Sequence, residues 1–412
     1  MSRMKSIASV LSVIALGFGL LSCTNSGGGG GGSSSAVFAV STTAADFGVV
    51  GNAYTSTLAA TGGTAPFTWA TSGALPTGLS LDSSTGVVTG TPTVDGNSTV
   101  VFIVTDGTGQ TTTGSVLFAI HTRTDRVSVD SSGTAGNGAS TEPVINNTDG
   151  RFIAFTSLAA LTALPGGIGS QIFVHDRQTS LPSLVSRDNL GSAGNGASSQ
   201  PAISADGRFV AFTSAATNLA PTPGGSGTQI FLRDTQTNQT ILISRDTLGN
   251  AGDGASSQPT ISADGRIVAF TSVATNLAPI IGGSGSQIFL RDTVSNATSL
   301  VSREIGGNAG NGASSQPTIS ATSGQFVAFT SLATNLAATP GGSGSQIYLR
   351  DTQGNQTSLV SQDNNVPANA GNGASTAPVV IGDGGFVAFA SLASTLDSGA
   401  NAGSQVYVRA IP

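Results

Sequence analysis

The stretch SSQPTISADGRIVAF, residues 256–270, decides the fold because the chain repeats it. The sequence SSQPAISADGRFVAF occupies residues 198–212, and SSQPTISATSGQFVAF occupies residues 314–329. Looser copies lie at residues 140–155 and 375–389. A fixed period predicts an array of equivalent structural units. The prolines of the copies are 58, 58, 58 and 61 residues apart: Pro143, Pro201, Pro259, Pro317 and Pro378.

Each repeat unit has the pattern of four short strands. In the second unit, residues 201–204 and 208–214 flank an Asp-Gly pair, which is a strong hairpin signal. Residues 229–234 and 241–245 follow as the third and fourth strands. Apolar residues run almost without a break through the second strand, so both of its faces need to be covered. Four antiparallel strands, repeated along the chain, predict the blades of a β-propeller.

The unit also resembles the repeat of TolB-type propellers, through the turn SADGR and the segments VAF and IFLRD that follow it. Its first three strands occur five times, and residues 126–130 match the fourth strand at residues 184–188. Residues 122–412 are therefore predicted to form a five-bladed β-propeller. We expect it to be closed by its N-terminal strand, residues 127–130, pairing with residues 405–409. An open solenoid, or a ring completed by a partner, is the alternative.

Residues 36–121 have the pattern of a separate small β-sandwich, because short apolar runs alternate with turn signals. The segments GGTAPFTWA at residues 62–70, LPTGLSLDSSTGVVTGTPT at 75–93 and VTDGTGQ at 104–110 resemble a bacterial immunoglobulin-like module. That module is related to the cadherin-like domains of dystroglycan. The whole chain is thus predicted to be all-β, with an immunoglobulin/cadherin-like β-sandwich ahead of the propeller.

This resemblance implies a calcium site, because the cadherin relatives of the module bind calcium with clustered carboxylates. Asp82, Asp95 and Asp106 lie in the expected loops, and each stands without a paired acid. Calcium prefers six or more oxygen ligands, several of them charged. These three residues are the candidate calcium ligands, and ordinary loop aspartates are the alternative. No other cofactor is expected.

The N-terminus has the pattern of an export signal. Arg3 and Lys5 precede a mostly apolar run over residues 7–21, which is too short to span a bilayer. The sequence LLSC at residues 20–23 resembles a bacterial lipobox, in which the cysteine is acylated after the signal peptide is cleaved.

The lipobox resemblance implies that residues 1–22 are removed and that Cys23 becomes a lipidated N-terminus. A Gly/Ser-rich tether over residues 23–35 would then hold the folded part away from the membrane. Thr24, rather than an aspartate, follows the cysteine. We therefore expect attachment to the outer membrane, facing the periplasm or the cell surface.

Charge excludes nucleic acid as a partner. The 412 residues carry a formal net charge of −6, only 9% of them are charged, and Lys5 is the only lysine. Binding to nucleic acid phosphates needs a clustered basic face, which this composition does not supply.

Long loops at one end of the predicted propeller are the candidate binding face, because long loops on a rigid scaffold often carry function. Asparagine recurs there beside glycine, and its alternative role is to support the backbone of the loops. The connections between blades carry Asn137, Asn195, Asp253, Asn311 and Asn372. The loops between the second and third strands carry Asn218, Asn276 and Asn335.

No catalytic constellation stands out in the sequence, and the two histidines are His121 and His175. The second of these replaces the arginine of the other repeat units. We therefore predict a non-catalytic, lipid-anchored binding or scaffold protein of the cell envelope that recognises a protein or glycan. The alternatives are a propeller-based glycan hydrolase or lyase, and a TolB-like role in envelope assembly.

Overall fold

The computed structural model describes residues 37–122, 124–163, 167–220, 225–279, 282–320, 324–337, 342–364, 369–382, 384–397 and 403–411. All the regular elements in these ranges are β-strands, as predicted. None of the residues in these ranges belongs to an apolar helix that could cross a membrane. The predicted signal peptide, Cys23 and the tether lie outside the described residues.

The first module is a small β-sandwich built around Trp69, Phe102 and Phe118, all of which are buried. One sheet has the strand order β2-β9-β8-β5, a second has the order β3-β7-β6, and β1 pairs with β4. This confirms the immunoglobulin-like sandwich predicted for this segment. Its strands are β1 (Ala39–Val40), β2 (Gly48–Val49), β3 (Tyr54–Thr57), β4 (Ala60–Thr61), β5 (Thr68–Thr71), β6 (Leu79–Leu81), β7 (Val87–Gly90), β8 (Gly96–Thr105) and β9 (Thr111–His121).

The repeats form five separate antiparallel sheets, which we number 1 to 5 in chain order. Sheets 1 to 4 have four strands each, as predicted, and sheet 5 has three. Sheet 1 contains β10 (Ser140–Ile145), β11 (Phe152–Ser157), β12 (Gln171–Asp176) and β13 (Leu181–Leu184). Sheet 2 contains β14 (Ser198–Ile203), β15 (Phe209–Ser214), β16 (Gln229–Asp234) and β17 (Gln239–Leu242). Sheet 3 contains β18 (Ser256–Ile261), β19 (Ile267–Ser272), β20 (Gln287–Asp292) and β21 (Ala297–Leu300). Sheet 4 contains β22 (Ser314–Ile319), β23 (Phe326–Ser331), β24 (Gln346–Asp351) and β25 (Gln356–Leu359), and sheet 5 contains β26 (Ser375–Val380), β27 (Phe386–Ser391) and β28 (Gln405–Ala410).

Successive sheets pack face to face, which explains the continuous apolar runs in the second strands. Val210 and Phe212 of β15 point towards sheet 1, where they pack in one cluster with Ala154 and Ile172. Ala211, between them, packs in the cluster shared with sheet 3. Because neighbouring residues of a strand face opposite sides, both sides of each inner sheet are buried in this way.

A polar ladder joins the first strands of the sheets. Each first strand contains a β-bulge, with Gln200, Gln258 and Gln316 at positive φ. The amide oxygen of Gln200 accepts a hydrogen bond from Gln258 N at 2.9 Å, and Gln258 does the same for Gln316 N at 3.0 Å. Glu142 of sheet 1 begins the ladder by accepting from Gln200 N at 2.7 Å. The ladder fixes the register of one sheet on the next.

The structure does not confirm the predicted closure of the array by its N-terminal strand. Val129 forms a bridge with Ala135, and none of residues 127–130 pairs with β28. The outer edge of β28 has no partner strand among the described residues, and Val406 and Val408 are 80% and 67% exposed. Sheets 1 and 5 share no hydrophobic cluster in the described part of the chain.

The segment meant to close the ring is packed at sheet 1, in the same turn conformation as the connections between the other sheets. Asp130 accepts hydrogen bonds from the backbone N–H groups of Ser132 and Thr134, at 2.8 and 2.9 Å, which fixes a tight turn. Val127 packs against the cluster around Phe155 of sheet 1. The array therefore remains open after sheet 5, and a closed five-bladed ring is not confirmed.

Candidate functional site

The asparagines of the predicted binding face form hydrogen bonds within the loops themselves. Asn195 N donates to Asn218 Oδ1 at 2.9 Å, Asn195 Nδ2 donates to Thr217 Oγ1 at 2.9 Å, and Asn218 Nδ2 donates to Ala193 O at 3.0 Å. These bonds tie the connection between two sheets to the loop that follows the second strand. Equivalent bonds involve Asp253 with Asn276, Asn311 with Asn335, and Asn372 with Ser394.

Seven of the eight candidate residues therefore support loop structure, as the alternative interpretation expected. The eighth, Asn137, is exposed and makes no side-chain hydrogen bond to another described residue. A binding role for this face stays a prediction.

Two of the three candidate calcium ligands cap turns. Asp82 Oδ1 accepts from Ser84 N at 2.8 Å, and Asp106 Oδ1 accepts from Thr108 N and Gln110 N, both at 2.9 Å. Hydrogen bonds from the Ser84 and Thr108 hydroxyls and from these N–H groups lower the pKa of the two carboxyls. No group of three or more His, Cys, Asp or Glu side chains suited to a metal occurs within the described ranges. A calcium site stays a prediction that the structure does not test.

A cleft of about 400 Å³ lies where the first module meets sheet 1, and we call it the junction cleft. Two hydrogen bonds join the modules beside it, from Asn97 Nδ2 to Ser180 Oγ at 3.4 Å and from Gln178 Nε2 to Ala45 O at 3.3 Å. Its size falls within the range of small-molecule binding sites. The polar residues that line it include Asp95, Asn97, His121, Asp125, Arg126, Ser131, Ser132, His175, Arg177, Thr179 and Ser180.

Asp125 holds the charged groups of the cleft in place. Its Oδ2 lies 3.2 Å from His121 Nδ1 and 3.4 Å from Arg177 Nη2, and its Oδ1 accepts from the Thr122 hydroxyl at 2.6 Å. The guanidinium of Arg177 also stacks 4.8 Å above the ring of Phe47, which is a cation–π contact. The imidazole at the end of β9 and the arginine after β12 are thus fixed to each other across the two modules.

The cleft lies where sheet 1 departs from the repeat at several positions. Among them are His175, Ser180 and Pro182, which stand at the places of Arg233, Asn238 and Thr240. In sheet 2 the buried Arg233 fills the equivalent space, donating to Thr240 Oγ1 at 3.0 Å, Asn238 Oδ1 at 2.9 Å and Asp188 O at 3.3 Å. Arg291 and Arg350 are buried in the same way in sheets 3 and 4.

In sheet 1, the shorter His175 stands at the place of the arginine, and Ser180 stands at the place of Asn238. The two shorter side chains leave unfilled the space that the arginine and asparagine occupy in the other sheets. Sequence reasoning noticed that a histidine replaces the arginine, but it did not identify the cleft that results.

The pKa of both histidines of the cleft is lowered. Burial lowers the pKa of His121, and Arg177 lowers it further, while Asp125 opposes the shift. Burial likewise lowers the pKa of His175, since this side chain is only 5% exposed.

His121 Nε2 and His175 Nδ1 are buried and have no hydrogen-bond partner among the described residues. Leaving a buried polar group without a partner costs about 1–3 kcal/mol. Both nitrogens belong to residues that line the junction cleft.

No curated protein shows significant sequence similarity to this chain. Several solved structures resemble it at low identity. Putative TolB of Agrobacterium tumefaciens is 13% identical, with 76% of this chain and 86% of that chain covered and a TM-score of 0.37. Prolyl oligopeptidase B from Galerina marginata is 10% identical, with 76% and 41% covered and a TM-score of 0.40. An auxiliary nutrient binding protein from Bacteroides thetaiotaomicron is 9% identical, with 78% and 70% covered and a TM-score of 0.30.

At these identities and TM-scores, none of the three indicates what this chain binds or catalyses. For the first module, the comparison with family models gives a more specific result, and it agrees with the structure. Residues 36–121 match the family model described as putative Ig domain, and they form the β-sandwich expected of it.

Proposed function

We propose that this protein is a lipid-anchored binding protein of the cell envelope, and that it recognises its ligand in the junction cleft. One observation carries the proposal: two residues that line a cleft of about 400 Å³ each bury a ring nitrogen without a partner. Natural proteins rarely leave buried polar atoms unsatisfied, and a binding site is a common reason when they do. The proposed site therefore lies at the boundary between the modules, and not on the predicted long-loop face.

The lining favours a hydroxyl-rich ligand of mono- to disaccharide size, such as the end of a glycan. Asp95 and Asn97 offer acceptors, while Arg177 and Ser180 offer donors. A sugar hydroxyl both donates and accepts, so it suits such a mixed lining. Ile120 and Leu181 add apolar surface for the faces of the ring.

Binding without catalysis is part of the proposal. The Asp125 carboxylate is engaged by three side chains, so it is not free to act as a general acid or base. The histidines also lack the hydroxyl or thiol nucleophile that a triad would place within hydrogen-bonding distance.

Attachment to the membrane through Cys23 follows from the lipobox resemblance and the tether behind it. The acidic net charge suits a soluble body held off an anionic lipid surface. We place the protein at the outer membrane, facing the periplasm or the cell surface.

Filling the cleft tests the proposal. In the double variant His175→Arg/Ser180→Asn, the arginine and its asparagine partner take the positions that they have in sheet 2 and occupy the cleft. We expect a panel of mono- and disaccharides, screened by saturation-transfer NMR, to yield at least one ligand for the parent chain. Its affinity, measured by calorimetry, should fall at least about tenfold in the double variant, because each lost hydrogen bond to a charged group weakens binding by about 1.5–3 kcal/mol.

The matched control is Arg233→His/Asn238→Ser, which opens the equivalent space in sheet 2, away from the first module. It should leave saccharide binding unchanged, while both variants should keep the circular dichroism spectrum of the parent. Equal saccharide binding by the parent and the filled variant would contradict the proposal, as would a parent chain that binds no saccharide and instead captures peptides at this cleft.

A further inference from the structure

The exposed end of sheet 5 carries one half of an interface that the chain forms four times internally. At each internal interface, the first residue of a second strand covers the turn glycine of the next sheet: Phe152 packs on Gly207, Phe209 on Gly265, Ile267 on Gly324 and Phe326 on Gly384. In each case a Cβ on the glycine would clash with the covering side chain. Phe386 of sheet 5 is instead 47% exposed. The corresponding glycine of sheet 1, Gly150, is approached only by Ile145 of its own sheet.

A buried group of hydrogen bonds, which we call the clamp, joins a glutamine to a serine and to two glycine carbonyls. Its members are divided between the two ends of the array in the same way. In sheet 2, Gln229 Oε1 accepts from Ser244 Oγ at 2.6 Å, and Gln229 Nε2 donates to Gly252 O and Gly254 O at 3.2 and 3.3 Å. The clamp recurs at the start of the third strand with Gln171, Gln287 and Gln346.

At sheet 5 the equivalent Gln405 is exposed and makes no hydrogen bond through its side chain. The groups that it lacks are present ahead of sheet 1, where Ser128, Gly136 and Gly138 occupy the places of Ser244, Gly252 and Gly254. Gly136 N donates to Ser128 O at 3.0 Å, as Gly252 N donates to Ser244 O at 2.9 Å, so the two segments share one turn conformation.

The apolar side chains of an internal interface also have their equivalents divided between the two ends of the array. Ile230 and Leu232 of sheet 2 are buried against sheet 3, together with Ile243, at 0% and 3% exposure. Their equivalents in sheet 5, Val406 and Val408, are 80% and 67% exposed. The equivalent of Ile243 is Val127, which packs with Phe155, Phe173 and Leu184 at sheet 1.

We propose that sheet 5 of one molecule is completed by residues 126–138 and sheet 1 of a second copy of this chain. In this contact residues 126–128 lie along β28 as residues 242–244 lie along β16, Gln405 receives Ser128, and Phe386 covers Gly150. A second copy is the occupant because every group that the exposed end lacks is found at the other end of the same chain. The two surfaces differ, so the association is head-to-tail and continues from molecule to molecule unless it closes into a ring of molecules.

Disulfide trapping tests the association directly in the full lipidated chain, extracted in detergent. Val127→Cys and Val406→Cys place thiols on the two halves of the apolar face, at positions equivalent to Ile243 and Ile230. When the two single variants are mixed and oxidised, we expect a covalent dimer on a non-reducing gel. Each variant alone, and the parent with its single Cys23, should give no such dimer. The double variant Val127→Cys/Val406→Cys should form a ladder of multimers.

A third substitution distinguishes the loss of the contact surface from the loss of the folded structure. Val408→Glu buries a charge in the proposed contact, but it lies at an exposed position in the single molecule, so its thermal unfolding should match that of the parent. Added to Val406→Cys, it should abolish the mixed dimer. The proposal is overturned if the double variant gives only an intramolecular disulfide, because the chain would then close on itself. The absence of any disulfide between positions 127 and 406 would overturn it equally.

Discussion

Replacing Phe270 with alanine is expected to lower the free energy of unfolding of the repeat array by about 3–5 kcal/mol. Phe270 is fully buried in the cluster shared by sheets 2 and 3, and its ring stacks on Phe289 with centroids 6.0 Å apart. Alanine would leave a cavity that the rigid strands on both sides cannot close. Urea unfolding followed by far-ultraviolet circular dichroism measures this loss.

The response of the first module provides an internal reference. Trp69, the only tryptophan, lies in the core of that module, so its fluorescence reports the unfolding of the sandwich rather than of the repeats. Because each sheet packs mainly on its neighbours, a defect between sheets 2 and 3 should weaken the array while the sandwich keeps its midpoint.

Phe386→Ala is the matched control, since Phe386 is 47% exposed at the free end of the array. In dilute solution it should cost less than about 1 kcal/mol, as surface substitutions usually do. Similar losses for the two variants would show that the end of the array is buried in the single molecule, contrary to the structure.

Replacing Gln287 with alanine is expected to cost about 2–4 kcal/mol, because the change leaves several buried groups without partners at once. Its Oε1 accepts from Ser302 Oγ at 2.7 Å, and its Nε2 donates to Ser284 O and Gly310 O, both at 3.1 Å. The Ser302 hydroxyl in turn accepts from Ile288 N at 2.9 Å. Thermal unfolding by circular dichroism measures the loss.

Gln405→Ala changes the same residue type at the equivalent position of sheet 5, where the side chain is exposed. It should leave the unfolding temperature of the dilute protein unchanged. If Gln405→Ala destabilised the protein as much as Gln287→Ala, the clamp of sheet 5 would already be formed within one molecule.

Much of the fold could be predicted because the deciding features are local. The Asp-Gly turns, the apolar second strands and the period of the prolines each specify one sheet, and the structure has those sheets. The similarity of residues 126–130 to residues 184–188 extends to the structure, since Val129 bridges Ala135 as Arg187 bridges Ala193. Residues 184–188, however, begin only at the last residue of β13. Whether that segment reaches sheet 5 depends on the small rotation between sheets, accumulated over four interfaces. The sequence of a single repeat does not determine this accumulated rotation.

The candidate site was harder to predict because its signal is a departure from the pattern. The recurring asparagines predict a binding face, and in the structure they form the same hydrogen bonds in successive connections. His175 and Ser180 depart from the repeat. They are shorter than the arginine and asparagine at the equivalent places, so they leave this space unfilled. Its other wall comes from the first module, through Asp95, Asn97 and His121. How that module docks on sheet 1 cannot be derived from the repeats.

The rate at which a thiol reagent labels Val406→Cys tests the central claim that one molecule ends in an open interface. Ile230→Cys is the matched comparison, because the two positions are equivalent but are 80% and 0% exposed. In dilute solution, below the concentration at which molecules associate, Val406→Cys should react nearly as fast as in urea, while Ile230→Cys should be protected by orders of magnitude. Equal protection of both thiols in the single molecule would contradict the open array.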